Sequence, residues 1–402
     1  MNNENEKIFT KPFFLIFGAL LFTSLVMYAL MSTVTEYATA MGSSATIAGL
    51  VSGIYVFGGL CSRVYSGNAL EKKGWKKIAL IFLSIHFFAC LLYFIVDDIT
   101  LLLIVRFIHG IGFGASANAI VTIATEILPK KRFGEAFGYF MIGTTISVGL
   151  GPYIGGFLYD FIGPNGCFLA ASLFSLIALF CIIILGVDKY DSRKEDNSEY
   201  SDAENDSFKG LEKIFEYKAI PVSLFTALTS LGYVSILSFY RLYAVEVNLT
   251  SIFSWFFIIY SISLLLSRPI AGKIQDKNGD KLVCVTGIIA QTIGLFLIAW
   301  IPSNVTVIIC AICAALGFGT LSSACTTIVT RNVSKNRRSY ALSTFFIFCD
   351  ATMGFGPALL GSFVSASSGY APLYYISSII TLLALPVCLY SLKNQSVSQK
   401  SV

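Results

Sequence analysis

The stretch "RPIAGKIQDKNGDK" (residues 268–281) is a charged island between two long apolar runs, in a chain of 402 residues of which only 13% are charged. A second stretch, "RVYSGNALEKKGWKK" (63–77), repeats its skeleton of arginine, glycine, acid, lysine and glycine. The positions are Arg63, Gly67, Glu71, Lys72 and Gly74 in the first copy and Arg268, Gly272, Asp276, Lys277 and Gly279 in the second, each pair 205 residues apart. The same spacing relates Gly112-Phe113-Gly114 to Gly317-Phe318-Gly319, Gly151-Pro152 to Gly356-Pro357, Arg132 to Arg337, Tyr28 to Tyr233 and Tyr55 to Tyr260. A single repeat of about 200 residues marks two homologous halves, and parallel halves related by an axis along the membrane normal recur among transporters.

Composition says which solvent those halves meet. Hydrophobic residues make up 55% of the chain and the mean hydropathy is +0.75, whereas a soluble domain is about 45–50% apolar and about 25% charged. Twelve segments, near 13–38, 45–66, 78–96, 100–127, 135–160, 167–187, 219–243, 250–271, 282–301, 304–330, 339–366 and 371–392, are each long enough to cross the bilayer. The hydrocarbon layer is about 30 Å thick and a helix rises about 1.5 Å per residue. Without water, backbone groups must bond inside each segment, so the segments are helices. The predicted fold is all-α and integral to the membrane, with twelve spans in two parallel six-helix repeats. The first segment is read as a retained span, because it exceeds a signal-peptide core, lacks an A-x-A-like cleavage site and runs straight into another apolar helix.

Charge placement gives the topology. Of 28 Lys and Arg, 26 fall at one side of the proposed membrane; the other two, Arg106 and Arg241, lie within or at the edge of spans. This positive-inside pattern predicts that both termini are cytoplasmic, and it accounts for the net charge of +5 without a nucleic-acid partner. The ten cysteines lie mostly in apolar helices, and the two histidines, His86 and His109, fall on different segments from the cysteine pair Cys310 and Cys313. Small buried hydrophobes, not a disulfide framework or a metal site, are the reading, and no cofactor is expected. Three parts follow: a six-helix bundle over 1–187, a polar cytoplasmic linker over 188–218 ending in an interfacial helix, and a second bundle over 219–402.

At this point the motifs resemble the major facilitator superfamily. The paired Gly-x3-acid-Lys-x-Gly run resembles that family's signature loop. "LLLIVRFIHGIGFGASANA" (101–119) resembles its fourth-helix motif, and "GLGPYIGG" (149–156) is similar to the fifth-helix motif of proton-coupled exporters, carried here by Gly149, Gly151, Pro152, Gly155 and Gly156. Glu71 stands where the family more often has aspartate, and a second Gly-Pro motif, "GFGPALLG" (354–361), occupies the eleventh segment. The resemblance implies the drug:proton antiporter-like exporters, with a proton-coupling role for Arg106. The two charged copies are read as a latch: arginines at helix ends, glycines for a tight turn, and Glu71 and Asp276 accepting N–H groups at a helix end of the other half.

Removing loop charges leaves few ionisable groups in the spans, each costing roughly 2.5–3.5 kcal/mol on insertion scales. Arg106 and His109 share one face of the fourth segment. Asp350 falls midway along the eleventh, where an acid suits a proton or a cationic substrate. Glu36 and Arg241, one repeat apart, are candidates for an outer gate. Asn118, Tyr28, Tyr233 and Tyr240 are candidate cavity-lining side chains, and an aromatic content of 14% suits amphipathic substrates. The function read from this is proton-coupled export of small organic compounds by alternating access, from a monomer in the cell membrane. The alternative is an importer or facilitator of a sugar or organic acid. An intramembrane enzyme would need a nucleophile with a base, or a metal pair; the sequence has two isolated histidines and neither an HExxH nor a GxSxG motif.

Overall fold

A computed structural model of the chain describes residues 7–73, 75–129, 132–186, 216–331, 333, 337–366 and 369–400. Twelve of its helices are long and apolar enough to cross a membrane. They are α1 (Lys11–Ala40), α2 (Ala45–Lys73), α3 (Trp75–Leu92), α4 (Ile99–Ile127), α5 (Phe133–Ile162), α6 (Pro164–Leu185), α7 (Ile220–Glu246), α8 (Thr250–Asn278), α9 (Asp280–Trp300), α10 (Asn304–Arg331), α11 (Arg338–Ala366) and α12 (Ala371–Lys400). The linker predicted over 188–218, with its interfacial helix, lies almost wholly outside the described residues.

Helix ends follow local chemistry that the repeat preserves. Asp98 caps α4, its carboxylate accepting from Thr100 N at 2.7 Å and Leu101 N at 3.0 Å. One repeat later Ser303 closes a capping box with Thr306 at the start of α10, again supplying an acceptor to orphan N–H groups of the first turn. Helices α2 to α5 begin at 45, 75, 99 and 133, and α8 to α11 at 250, 280, 304 and 338, so the 205-residue spacing holds at every start.

Two compact units result, Met1–Ser43 with Leu50–Ser198, and Ser44–Gly49 with Glu199–Val402. In the first, Phe13, Ile16 and Leu20 of α1 meet Ile78 and Phe82 of α3, Ile120 of α4 and Phe140 of α5 in a closed apolar core. In the second, Phe225 of α7, Ile288 of α9, Ile328 of α10 and Phe345 of α11 do the same. Lipid is as apolar as these side chains, so close packing and interhelical hydrogen bonds must hold each unit together. Glycine makes that approach possible between α2 and α4. A Cβ built on Gly110 would lie 1.9 Å from Tyr55 O, and one on Gly114 would lie 2.2 Å from Gly59 O.

Candidate functional site

Arg106 is the centre of a polar cluster inside the first unit. Its side chain is completely buried. Nε donates to Val51 O at 3.0 Å, Nη2 to Ser52 O at 3.3 Å and Nη1 to the Tyr93 hydroxyl at 3.4 Å, while the guanidinium lies 4.3 Å over the Tyr55 ring. The two carbonyls belong to α2, where each helix oxygen keeps a second lone pair to offer. Tyr93 arrives on a short turn after α3, Tyr93–Ile95. Its oxygen accepts from Arg106, which leaves its proton for His109 Nδ1 at 3.0 Å; His109 Nε2 then bears hydrogen and faces Cys90 Sγ at 3.4 Å. That tautomer is the one in which the Tyr93 hydroxyl hydrogen also finds an acceptor. Two carbonyls, a hydroxyl and a ring hold a permanent cation, and none of them is an anion. Hydrogen bonds from a charged donor are worth roughly 1.5–3 kcal/mol each, enough to offset the insertion cost.

The remaining sequence candidates are placed as follows. His86 is buried against His109, ring centroids 4.5 Å apart. Asn118 and Tyr28 are half-buried on α4 and α1, and Glu36 and Arg241 are half-buried toward the ends of α1 and α7 away from the basic residues. Tyr233 and Tyr240, read from sequence as cavity-lining, are each only 2% exposed. Tyr233 instead stacks on Phe318 at 4.8 Å and lies 5.5 Å from Tyr260, and Tyr240 packs on Phe257 at 5.0 Å. The fifth-helix motif packs on α1: a Cβ on Gly151 would stand 2.7 Å from Tyr28 Cβ, and one on Gly155 would stand 2.6 Å from Ala29 O. Gly149, Pro152 and Gly156 are buried on the same helix.

Asp350 lies midway along α11 and is half-buried. A cavity of about 680 Å³ runs between α7 and α11, walled by Leu224, Leu228, Leu231, Phe348, Ala351 and Phe355; Asp350 is on the same helix but not in its wall. The cavity lining is almost wholly apolar, which suits a hydrocarbon or aromatic surface more than a sugar.

The repeated charged motif is more helical than the sequence reading allowed. Residues 67–77 and 272–281 were expected as loops, with Arg63 and Arg268 at helix ends. Instead α2 continues to Lys73 and α8 to Asn278, and the arginines sit well inside their helices. Nothing in Gly272 stops the helix, and a Cβ there would meet nothing within 4 Å, so it makes no close helix approach. The stop is Gly279, at φ +83°, a conformation that costs glycine little. Asp276, Lys277 and Arg268 are exposed. The side chains of Gly67, Glu71 and Lys72 are outside those described, and Gly74 is outside the described residues altogether. What the second copy does tie together is a group the sequence reading missed. Gln275 Nε2 donates to Asp280 Oδ1 at 2.8 Å and to Ala324 O at 3.2 Å, and Asp280 also pairs with Arg331 of α10.

Twelve membrane-spanning helices in two repeated bundles, with a buried cation in one and an apolar cavity in the other, define a multi-pass membrane transporter. The chain belongs to the major facilitator superfamily, whose model matches residues 16–253 and 222–401. An uncharacterized transporter of that type from Methanocaldococcus jannaschii is 24% identical over 86% of this chain and 89% of its own. The multidrug resistance protein MdtG of Escherichia coli is 25% identical over 86% of this chain and 84% of its own. Among solved structures, a bacterial homologue of the human lysosomal transporter Spinster superposes with a TM-score of 0.75 at 13% identity, covering 96% of this chain and 98% of that one. The nucleoside transporter NupG gives 0.72 at 15% identity, over 96% of this chain and 100% of that one. The protein is thus a multi-pass transporter of the cell membrane, with the family and fold of transporters and not of enzymes.

Proposed function

We propose that the protein is a proton-coupled exporter of small amphipathic organic compounds, with both termini cytoplasmic. The observation that carries this reading is the likeness to a multidrug resistance protein over 86% of the chain, taken with an apolar cavity of about 680 Å³ walled in part by α11, the helix that also carries a single mid-span acid. A carboxylate at that depth is stable as an anion only while water or a cation reaches it. Asp350 therefore takes a proton on one side of the transport cycle and gives it up on the other, and a cationic amphiphile competes for the same group. Arg106 supplies a fixed positive charge in the first unit, held by α2 carbonyls, with Tyr93 and His109 beside it, and Asn118 lies about three turns further along α4. Glu36 and Arg241 form the outer gate, and Arg268, Asp276 and Lys277 belong to the latch with their counterparts Arg63, Glu71 and Lys72.

The test is reconstitution in phosphatidylethanolamine–phosphatidylglycerol liposomes with a pH-sensitive dye inside and ethidium as the probe substrate. Ethidium-driven proton flux in the wild type, abolished in Asp350→Asn, is the expected result. Ethidium movement with no proton flux, unchanged by the substitution, replaces antiport with facilitated diffusion.

A further inference from the structure

Helices α4 and α10 carry the same three residues, Gly112-Phe113-Gly114 and Gly317-Phe318-Gly319, yet follow different paths. In α10 the backbone opens into one wide turn, Ala315–Gly319, with Gly317 at φ −72°, ψ −114°. In α4 the corresponding residues form unbroken helix. A wide turn releases backbone groups from the helical ladder, and they need other partners. Gln291 of α9 supplies one: its Oε1 accepts from Phe318 N at 2.8 Å, and its Nε2 donates to Thr229 O at 2.9 Å. Gln291 is 1% exposed, so this clamp is entirely internal.

One repeat earlier, the position of Gln291 is held by His86. It is fully buried, and among the described atoms neither ring nitrogen has a hydrogen-bond partner. Its backbone lies directly on the glycine that corresponds to Gly317: a Cβ on Gly112 would stand 2.6 Å from His86 N and 2.8 Å from its Cα. A buried imidazole with both nitrogens unmet costs free energy, and such exceptions in a folded core call for a reason. The first half therefore holds the acceptor in place without the N–H that its counterpart accepts.

The rings show the second difference. Phe318 stacks on Tyr233 of α7 at 4.8 Å and 19°. Phe113 lies over Tyr55 of α2 at 5.4 Å and 32°. Tyr55 is the ring beneath Arg106, and the counterpart of Tyr233 is Tyr28, beside the fifth-helix motif.

We propose that α4 has a second state, the wide turn seen in α10, and that His86 is the positioning residue that holds it by accepting the Phe113 N–H. In that state Phe113 leaves Tyr55 and turns toward Tyr28, and the part of α4 bearing Arg106 shifts relative to the α2 carbonyls. The inference rests on the transport reading, and adds to its alternating access a change of shape within the first half. Gln291 serves as the permanent version of the same clamp.

The test is amide hydrogen exchange of the full-length protein in phosphatidylethanolamine–phosphatidylglycerol nanodiscs, with monodispersity by size exclusion as the folding control. Gln291→Leu is expected to speed exchange of peptides spanning 315–320 about tenfold, because Phe318 N–H loses its acceptor. His86→Leu removes the route to the wide turn, so exchange over 111–116 is expected to slow by about threefold, and His86→Gln, which keeps an acceptor, is expected to restore or exceed the wild-type rate. Ethidium-driven proton flux should fall in His86→Leu and recover in His86→Gln. Equal exchange over 111–116 in the leucine and glutamine variants overturns the proposal, as does an unchanged 315–320 in Gln291→Leu. If no variant, nor the wild type, shows flux while the exchange pattern holds, the transport reading fails and the hinge stands.

Discussion

The α3–α4 pair of the first unit and the α9–α10 pair of the second start from the same template and diverge through a few atoms. Gly110 lets α4 lie against the backbone of Tyr55, with no room for a methyl group. Its counterpart is Ala315, fully buried at the start of the wide turn in α10. A methyl at that point forbids the approach that α4 makes, and α10 answers by opening and recruiting Gln291. The polar chemistry divides the same way. Arg106, His109, Tyr93 and Cys90 correspond to Ala311, Ala314, Ile298 and Leu295, so the whole buried cation cluster of one unit is apolar in the other. The reverse holds between α1–α5 and α7–α11. Ser147 lies within reach of both Gly143 O of its own helix at 2.8 Å and Leu21 O of α1 at 2.9 Å, whereas its counterpart Thr352 bonds within its own helix to Phe348 O and lines the cavity. Duplication supplied the scaffold, and substitution put the buried Arg106 cluster in the first half, at positions that are apolar in the second.

Substitutions that move one half toward the other test this contrast. The largest effect belongs to Gly110→Ala: it places a methyl 1.9 Å from Tyr55 O and should cost about 3 kcal/mol or more, read as a fall in Tm of the detergent-purified protein. Ala315→Gly, the reverse change, should cost no more than about 1 kcal/mol. Arg106→Met, which makes the first half resemble the apolar second, should abolish proton flux and lower stability by about 2 kcal/mol through lost charged hydrogen bonds; retained flux would remove Arg106 from the coupling machinery. Next come the corresponding arginines Arg337 and Arg132. Arg337 pairs at 2.8 Å with Glu216, both mostly buried, whereas Arg132 pairs with Glu135 one turn away on the surface. Arg337→Gln should cost about 2 kcal/mol. Arg132→Gln should cost under about 0.5 kcal/mol, a difference that high salt erases. Equal Tm shifts for the two would mean that the half-to-half difference in burial carries no energetic weight.

Most of the fold was legible because the bilayer imposes it: length, apolarity and the alternation of basic loops leave little choice of element. The repeat was legible because it needs no gap from the first helix to the eleventh. The charged motifs misled as to helix ends, since lysine, aspartate and asparagine solvate an emerging helix as readily as a loop, and only the left-handed glycine at 279 terminates it. The site was half legible. Arg106 stands out as a lone cation in a span, but Tyr93 and Cys90 look like ordinary apolar-helix residues until the α3 turn brings them to it. Tyr233 and Tyr240 were read as cavity-lining from the helix that carries them, and that placement does not reveal their aromatic neighbours on α8, Tyr260 and Phe257. Gln291 carried a signal that the 205-residue spacing contains, for it pairs with one of only two histidines in the chain.

The register of the helix starts has a consequence for how this chain can change. Four successive helices of each half keep the same spacing, while α6 and α12, beginning at 164 and 371, differ by two residues more. One residue inserted within a helix turns every later side chain by about 100°, which would carry glycines such as Gly110 off their contacts. Divergence has accordingly run through substitution inside the spans, and the added length sits in the connection before the last helix.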